Sequence, residues 1–394
     1  EEIRRSIFRE MFMKILIDAR WIFPQVSGIG QHTRLLIRGL QELKSDHELE
    51  LLFDSEERAE EVKADLDCSW QHHVVPYGLF SLHNQMNLAG WLKKQGVDVY
   101  HSTNYMMPLL GFKRHRRGPV RAVITIHDLI PIVYRDHAPK SKKSRMYPIY
   151  ARLMNEVAAR SDAIIAVSHS SRNDVCERLG LPEKFHDKVR VVYNGLDPVF
   201  FEDHAVPRKL PPEILYVGRL DPYKNVPQLV GAFSEALRKL PEGTRLRIIG
   251  PPDERYPEAL TLARQYNLLP RIDWEGHVTD DTLVEAYRRA SVVVLPSEYE
   301  GFGLPVAEAM ACGTPVICSD SSSLPEVAGD AASMIPAGSL FALKDALIEV
   351  LGSEKLQAEM IEKGRKQAER FTMHRMAEET MQVYGSVGTL LATP

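Results

Sequence analysis

The chain has 394 residues, 44% hydrophobic and 26% charged, which is the composition of an ordinary soluble globular protein with length for two domains. No apolar run approaches the roughly 20 residues that a membrane-spanning helix requires. A net charge of −4 and the lack of a recognition motif argue against a nucleic-acid binder.

The opening "EEIRRSIFREMF" is charged and has no apolar core, so residues 1–12 are expected to be an extension ahead of a natural start near Met11 or Met13, with no secretory signal. From there, short apolar runs alternate with longer amphipathic segments. Strands are expected at 14–19, 48–53, 72–77, 97–102, 121–128, 163–168 and 188–195, then at 213–220, 245–250, 272–277, 292–297 and 314–320. Helices are expected at 31–44, 147–160, 225–240, 256–267, 280–290 and 304–311, and through 340–385 with no further strand to feed. This alternation predicts an α/β protein with parallel sheets covered on both faces, and continuous runs such as "VVVLP" suit strands buried on both sides. The Pro-rich stretch at 197–213 interrupts the pattern. The expected organisation is a first Rossmann-like domain at 13–200, a linker at 201–212, a second such domain at 213–370, and a C-terminal helix at 371–394 that crosses back onto the first.

Cys68, Cys176, Cys312 and Cys318 form no C-x-x-C pair and no zinc spacing. They read as thiols in a reducing compartment, hence a cytoplasmic location. Charge is unevenly spread. Residues 1–200 hold 29 Lys+Arg against 25 Asp+Glu, and the rest hold 20 against 28. Residues 113–145 hold ten Lys/Arg and only Asp128 and Asp136, which points to an anionic partner, with Lys113, Arg114, Arg116 and Arg117 at its head; a solvated loop and helix face is the alternative.

Four motifs carry chemistry. In "DARWIFPQVSGIGQHTRLL", Gly28 and Gly30 join the first strand to a helix, without the third glycine or the spacing of a dinucleotide fingerprint. In "VITIHDLIP", His127 ends a buried strand, where open α/β sheets present ligands. It could hydrogen-bond a sugar hydroxyl, or be structural, and Asp128 could orient it or cap the next turn. In "VGRLDPYKN", Arg219 and Lys224 leave a strand tip and could converge on one diphosphate.

In "PSEYEGFGLPVAEAMACGTPVICSD", Glu300 and Glu308 bracket the turn Gly301, Phe302, Gly303, Leu304, and Pro305 suits the first position of a helix. Backbone N–H groups at 303–306 and the helix dipole would form an anion site, with Glu308 placed for the hydroxyls of a ribose and Glu300 for those of a second polyol. Both acids could instead be solvated.

Together, Glu300/Glu308, Arg219 and Lys224, His127, the "SGIG" loop, "AVSHSSRNDV" and "VVYNGLDPVF" resemble the family 4 glycosyltransferases of the GT-B fold, from about Met13 to about residue 385. "IDARWIFPQVSGIGQHTRLL", "HSTNYMMP" and "TIHDLIP" further resemble the mannosyltransferase-B-like members that build bacterial O-antigen. The resemblance implies two doubly wound domains facing a cleft. It implies retaining, metal-independent hexosyl transfer from a sugar nucleotide, first GDP-mannose and otherwise another UDP- or GDP-hexose, with no cofactor. The acceptor would be a lipid-linked or lipopolysaccharide glycan, reached by peripheral association with the anionic inner leaflet of the plasma membrane. Glu308 would hold the ribose, Glu300 the sugar, and Arg219, Lys224 and the Gly303–Leu304 helix end the diphosphate, while His127 would contact the transferred sugar. The D-x-D at Asp65–Asp67 reads as solvated surface. Two other readings are weighed. An epimerase or a phosphorylase could share the fold, but no lysine stands in a pyridoxal phosphate motif. A catalytically silent sugar-nucleotide-binding subunit is disfavoured by the presence of Glu300, Lys224 and His127.

Overall fold

The computed structural model describes residues 12–24, 27–134, 146–202 and 210–388. The expected N-terminal extension up to residue 11, the 135–145 end of the basic segment, and residues 203–209 of the expected linker lie outside them. The chain forms two compact units. The first comprises Glu1–Ile132, Met146–Gly195 and Met373–Pro394, and the second comprises Val133–Arg145 and Leu196–Thr372.

The first unit holds β1 (Lys14–Asp18), β2 (Glu48–Phe53), β3 (His72–Val74), β4 (Val99–Ser102), β5 (Arg121–Ile126), β6 (Ala163–Ala166) and β7 (Val189–Val191). They form one parallel sheet in the order β3-β2-β1-β4-β5-β6-β7. The second unit holds β8 (Glu213–Val217), β9 (Arg245–Ile249), β10 (Ile272–Glu275), β11 (Val292–Leu295), β12 (Val316–Ser319) and β13 (Ser333–Ile335), also parallel, in the order β10-β9-β8-β11-β12-β13. Both orders reverse direction once, which is the doubly wound arrangement. Central strands such as β5, β6, β11 and β12 are buried along their whole length, as their largely apolar sequences suit.

Twelve of the thirteen strands coincide with expected ones. The exception is β13, three residues long with Met334 exposed, which has no apolar run to betray it. Helices at Glu56–Asp65, Leu82–Lys94 and His169–Arg178 also add to those expected. Each begins after a serine, Ser55, Ser81 or Ser168, whose hydroxyl accepts an N–H of the first turn.

The expected 340–385 helical segment is three helices: Leu340–Gly352, Glu354–Ala368 and Met373–Gly388. The last belongs to the first unit. Its Met376, Ala377, Val383, Tyr384 and Val387 join Ile15, Ile17, Leu36, Ile37 and Leu40 in one core. Tyr384 Oη also lies 2.6 Å from Nδ1 of buried His101.

Candidate active site

The reversal in the second sheet falls between β8 and β11, so the segments leaving their C-terminal ends part and leave a crevice there. After β8 the chain must turn sharply past β9. A Cβ on Gly250 would sit 1.9 Å from the Gly218 carbonyl oxygen, so only a glycine lets the two backbones touch. Tyr216 Oη donates to the Arg219 carbonyl at 2.6 Å and holds the turn open.

Six residues after Arg219, Asn225 takes a left-handed conformation (φ 54°) and its amide donates to the Pro296 carbonyl at 3.2 Å and to Glu298 Oε1 at 3.3 Å. The Glu298 N–H returns to the Tyr223 carbonyl at 2.8 Å. These bonds lace the loop after β8 to the loop after β11. Their product is an ion pair: Lys224 Nζ donates to both carboxylate oxygens of Glu300, at 2.6 and 2.8 Å, with both side chains largely buried. Arg219 is different. Its Nε lies 2.9 Å from buried Asp221, but the guanidinium side chain is 64% exposed and can swing to a ligand.

The turn after Glu300 is pinned from β12. Ser322 Oγ accepts the Glu300 N–H at 2.7 Å, and Ser323 Oγ donates to the Glu300 and Phe302 carbonyls at 3.0 and 2.8 Å. Phe302 is buried edge-on against Phe371, and Gly303 (φ 99°) caps the Leu304–Ala311 helix without a side-chain bond.

Two local expectations are corrected here. The helix starts at Leu304, so Pro305 is its second residue, because Gly303 in a left-handed conformation is the true cap. The Val306 N–H turns back to the Gly303 carbonyl at 3.0 Å, so the outward-facing donors shrink from 303–306 to Gly303 and Leu304, proline having none.

Glu308 stands four residues beyond Leu304, about 6 Å along the axis. Tyr287 Oη donates to its Oε2 at 2.6 Å, and Thr314 Oγ1 donates to the Tyr287 carbonyl at 2.6 Å. Burial pushes the Glu308 carboxyl up from 4.5 to about 7, against the lowering effect of the Tyr287 hydroxyl. Tyr287, Ser322 and Ser323 are absent from the sequence reading. The serine run after β12 was a visible signal, but nothing in "EAYRRAS" marks Tyr287.

Two family models cover most of the chain: Glycosyltransferase Family 4 matches residues 26–200 and Glycosyl transferases group 1 matches residues 200–367. The chain belongs to the family 4 glycosyltransferases. It is 27% identical over 94% of its length to the O-antigen chain mannosyltransferase B of Escherichia coli, 99% of which is covered. Its fold is that of GT-B glycosyltransferases. It matches sucrose-phosphate synthase from Thermosynechococcus elongatus with a TM-score of 0.73 (20% identity, 97% of this chain and 100% of that one). It matches Anabaena HepE in complex with UDP and glucose at 0.69 (16% identity, 95% and 100%).

In the first unit of this glycosyltransferase, the sheet reverses between β1 and β4. There Asp18 and Arg20 form a fully buried pair at 2.6 Å, closed by Tyr100 Oη on Asp18 at 2.6 Å and by Asn84 Oδ1 on Arg20 at 3.0 Å. His127 follows β5. Its Nε2 lies 2.9 Å from the Thr103 carbonyl, which can only accept, so the proton is on Nε2 and Nδ1 carries the lone pair. Burial lowers its pKa, as it does more strongly for His32, whose ring meets His127 edge-on at 4.7 Å and lies 2.9 Å from Asn194. Asp128 caps the next turn by accepting the Ile130 N–H at 3.0 Å, and its charge partly opposes the effect of burial on His127.

Of the two glycines near β1, Gly28 opens its helix with free space where a Cβ would stand. Gly30 is engaged locally, its N–H bonded to Ser27 Oγ at 3.1 Å. Asp65 pairs with Arg34 at the surface. Lys113, Arg114, Arg116 and Arg117 are all exposed, and Arg114 bonds Glu156 at 2.7 Å. Among the described residues, no group of three or more His, Cys, Asp or Glu could hold a metal ion, and no helix is long and apolar enough to cross a membrane.

Proposed function

We propose that this glycosyltransferase moves mannose from GDP-mannose, with retention of configuration and without a metal, onto a lipid-linked or lipopolysaccharide glycan. It would do so in the cytoplasm, at the anionic inner leaflet of the plasma membrane. The observation that carries the donor assignment is the pair of acids at the β8–β11 crevice, one against Lys224 and one against Tyr287, on either side of the open Gly303 cap. The printed name of the Escherichia coli relative supports mannose and an O-antigen acceptor.

In this reading the diphosphate lies on the Gly303 and Leu304 N–H groups, neutralised by the helix end, by Lys224 and by exposed Arg219. Gly301 and Phe302 form the wall of the turn. Glu308 receives the ribose hydroxyls and Glu300 those of the sugar. Lys224 carries three donors, so it can keep one on Glu300 and turn the others to the leaving phosphate, where negative charge grows as the glycosidic bond breaks. The leaving phosphate takes the acceptor proton, as the family's front-face mechanism implies. The Nδ1 lone pair of His127 accepts from a hydroxyl of the transferred sugar, Gly28 borders the donor, and Lys113, Arg114, Arg116 and Arg117 meet anionic lipid or acceptor.

Titration calorimetry tests the two acids, after a thermal-shift screen of GDP-, UDP- and ADP-sugars has identified the donor. Glu308→Ala should weaken the free nucleoside diphosphate as much as the sugar nucleotide, by about tenfold or more. Glu300→Ala should lower turnover and leave the free diphosphate nearly as tight. Equal weakening of the free diphosphate by both variants would refute this division, and stabilisation only by a UDP- or ADP-sugar would refute GDP-mannose.

A further inference from the structure

Among the large apolar side chains exposed on the first unit are Phe80 (61% exposed), Leu82 (78%), Met86 (72%), Leu110 (72%) and Ile149 (64%). Single exposed apolar residues are ordinary, but a group on adjoining elements marks an interaction surface. These five are brought to one region by identifiable bonds. Gln85, on the Leu82–Lys94 helix, donates to the Met107 carbonyl at 3.0 Å and accepts the Leu109 N–H at 2.8 Å. Gly111 packs against Ala89 of the same helix so closely that a Cβ there would lie 1.8 Å from the Ala89 Cβ. At 100° per residue, Leu82 lies about 20° and Met86 about 60° around the helix from Ala89, on the side that faces the Leu109–Gly111 turn.

The other flank is the Tyr147–Arg160 helix. Its Arg160 donates to the Leu109 and Phe112 carbonyls at 3.1 and 2.6 Å, and its Glu156 holds Arg114. Ile149 lies seven and eleven residues before these two, within about 20° of the same line along the helix. Phe80 joins the group through Tyr105, whose ring it meets at 6.4 Å and which in turn meets Tyr150 at 5.7 Å.

Charge identifies the occupant. Residues 78–127 and 146–160, which supply all of these elements, carry Lys93, Lys94, Lys113, Arg114, Arg116, Arg117, Arg121, Arg152 and Arg160 against only Asp98, which is buried, and Glu156, which is paired with Arg114 and Arg160. An apolar protein partner would not call for that bias, nor would a bare nucleic acid call for the apolar prongs. Apolar side chains projecting beside a large excess of cations match the headgroup and upper acyl region of an anionic bilayer.

We infer that Phe80, Leu82, Met86, Leu110 and Ile149 form an insertion surface that enters the acyl boundary of an anionic membrane while the 113–117 cations hold the headgroups. This deepens the leaflet reading proposed above, adding an apolar anchor to one that rested on charge alone. The two components also behave differently: the electrostatic part weakens with salt and the inserted part does not.

Sedimentation with phosphatidylglycerol–phosphatidylethanolamine vesicles, with phosphatidylcholine vesicles as the neutral control, tests it without donor or acceptor, so its outcome is independent of the transferase assignment. The quadruple variant Phe80→Ser, Leu82→Ser, Met86→Ser, Leu110→Ser should lose vesicle binding by tenfold or more, and the wild type should keep part of its binding at high salt. Unchanged binding of this variant would overturn the proposal, as would failure of the wild type to bind anionic vesicles, or dissociation of a wild-type oligomer by the same substitutions.

Leu110→Cys gives a second measurement that does not depend on the quadruple variant folding. All four native cysteines are buried, so a nitrobenzoxadiazole label would go to position 110. Its emission should shift to the blue when anionic vesicles are added. An unshifted spectrum at saturating lipid would overturn insertion.

Discussion

Replacing Tyr287 by Phe removes a single oxygen atom, and the structure says which property should change. Burial has already raised the Glu308 carboxyl from 4.5 to about 7, so its ionised form is disfavoured by roughly 3 kcal/mol at about 1.4 kcal/mol per pH unit. The Tyr287 hydroxyl, 2.6 Å away, opposes that effect by donating to the ionised carboxylate. A hydrogen bond to a charged group contributes about 1.5–3 kcal/mol, so the Phe variant should raise the Glu308 pKa by a further one to two pH units, roughly.

If the ionised form receives the ribose, the advantage of a nucleoside diphosphate over its 2′,3′-dideoxy analogue should fall as pH drops below about 7 in the wild type. In the variant the fall should begin at higher pH, making that advantage about tenfold smaller at pH 7. Comparing the two ligands cancels the titration of the phosphates. The same shift has a folding consequence with a definite sign. Because the folded carboxyl holds its proton more tightly than the unfolded one, stability contributed at low pH is lost as pH rises from about 4.5 through about 7. Calorimetric titrations of both proteins from pH 5.5 to 9 decide the point. An identical pH dependence of the dideoxy difference in the two proteins would refute the reasoning.

Three further outcomes follow from the same crevice. Lys224→Met should leave the Glu300 carboxylate buried without its cation and lower stability by about 3–5 kcal/mol, whereas Lys224→Met with Glu300→Leu should recover much of it, read from urea midpoints; additive losses would mean the pair is not coupled. Lys224→Ala should also reduce turnover severely, and steady-state rates within twofold of wild type would remove it from the diphosphate site. Gly303→Ala places a Cβ at a φ of 99° and 2.6 Å from Leu324 Cδ2, so it should lower the melting temperature and weaken nucleotide binding, with Leu324→Ala relieving only the clash; an unchanged melting temperature would show that the turn is not held as described.

The amino-acid sequence by itself determined twelve of the strands, most clearly the central ones, because a parallel strand buried on both faces is largely apolar and such a run is visible without coordinates. It also made Arg219, Lys224, Glu300 and Glu308 legible, since each lies within a few residues of a strand end or helix start. Only the tertiary structure decided the partners. Lys224 and Glu300 are 76 residues apart and meet because the sheet order sets β8 beside β11. Tyr287 reaches Glu308 from another helix, and Met373–Gly388 enters the core of the first unit from the far end of the chain. The same holds for the apolar side chains at Phe80, Leu82, Met86, Leu110 and Ile149. Nothing in the sequence separates them from core residues, because whether an apolar residue is covered depends on what the rest of the fold places over it.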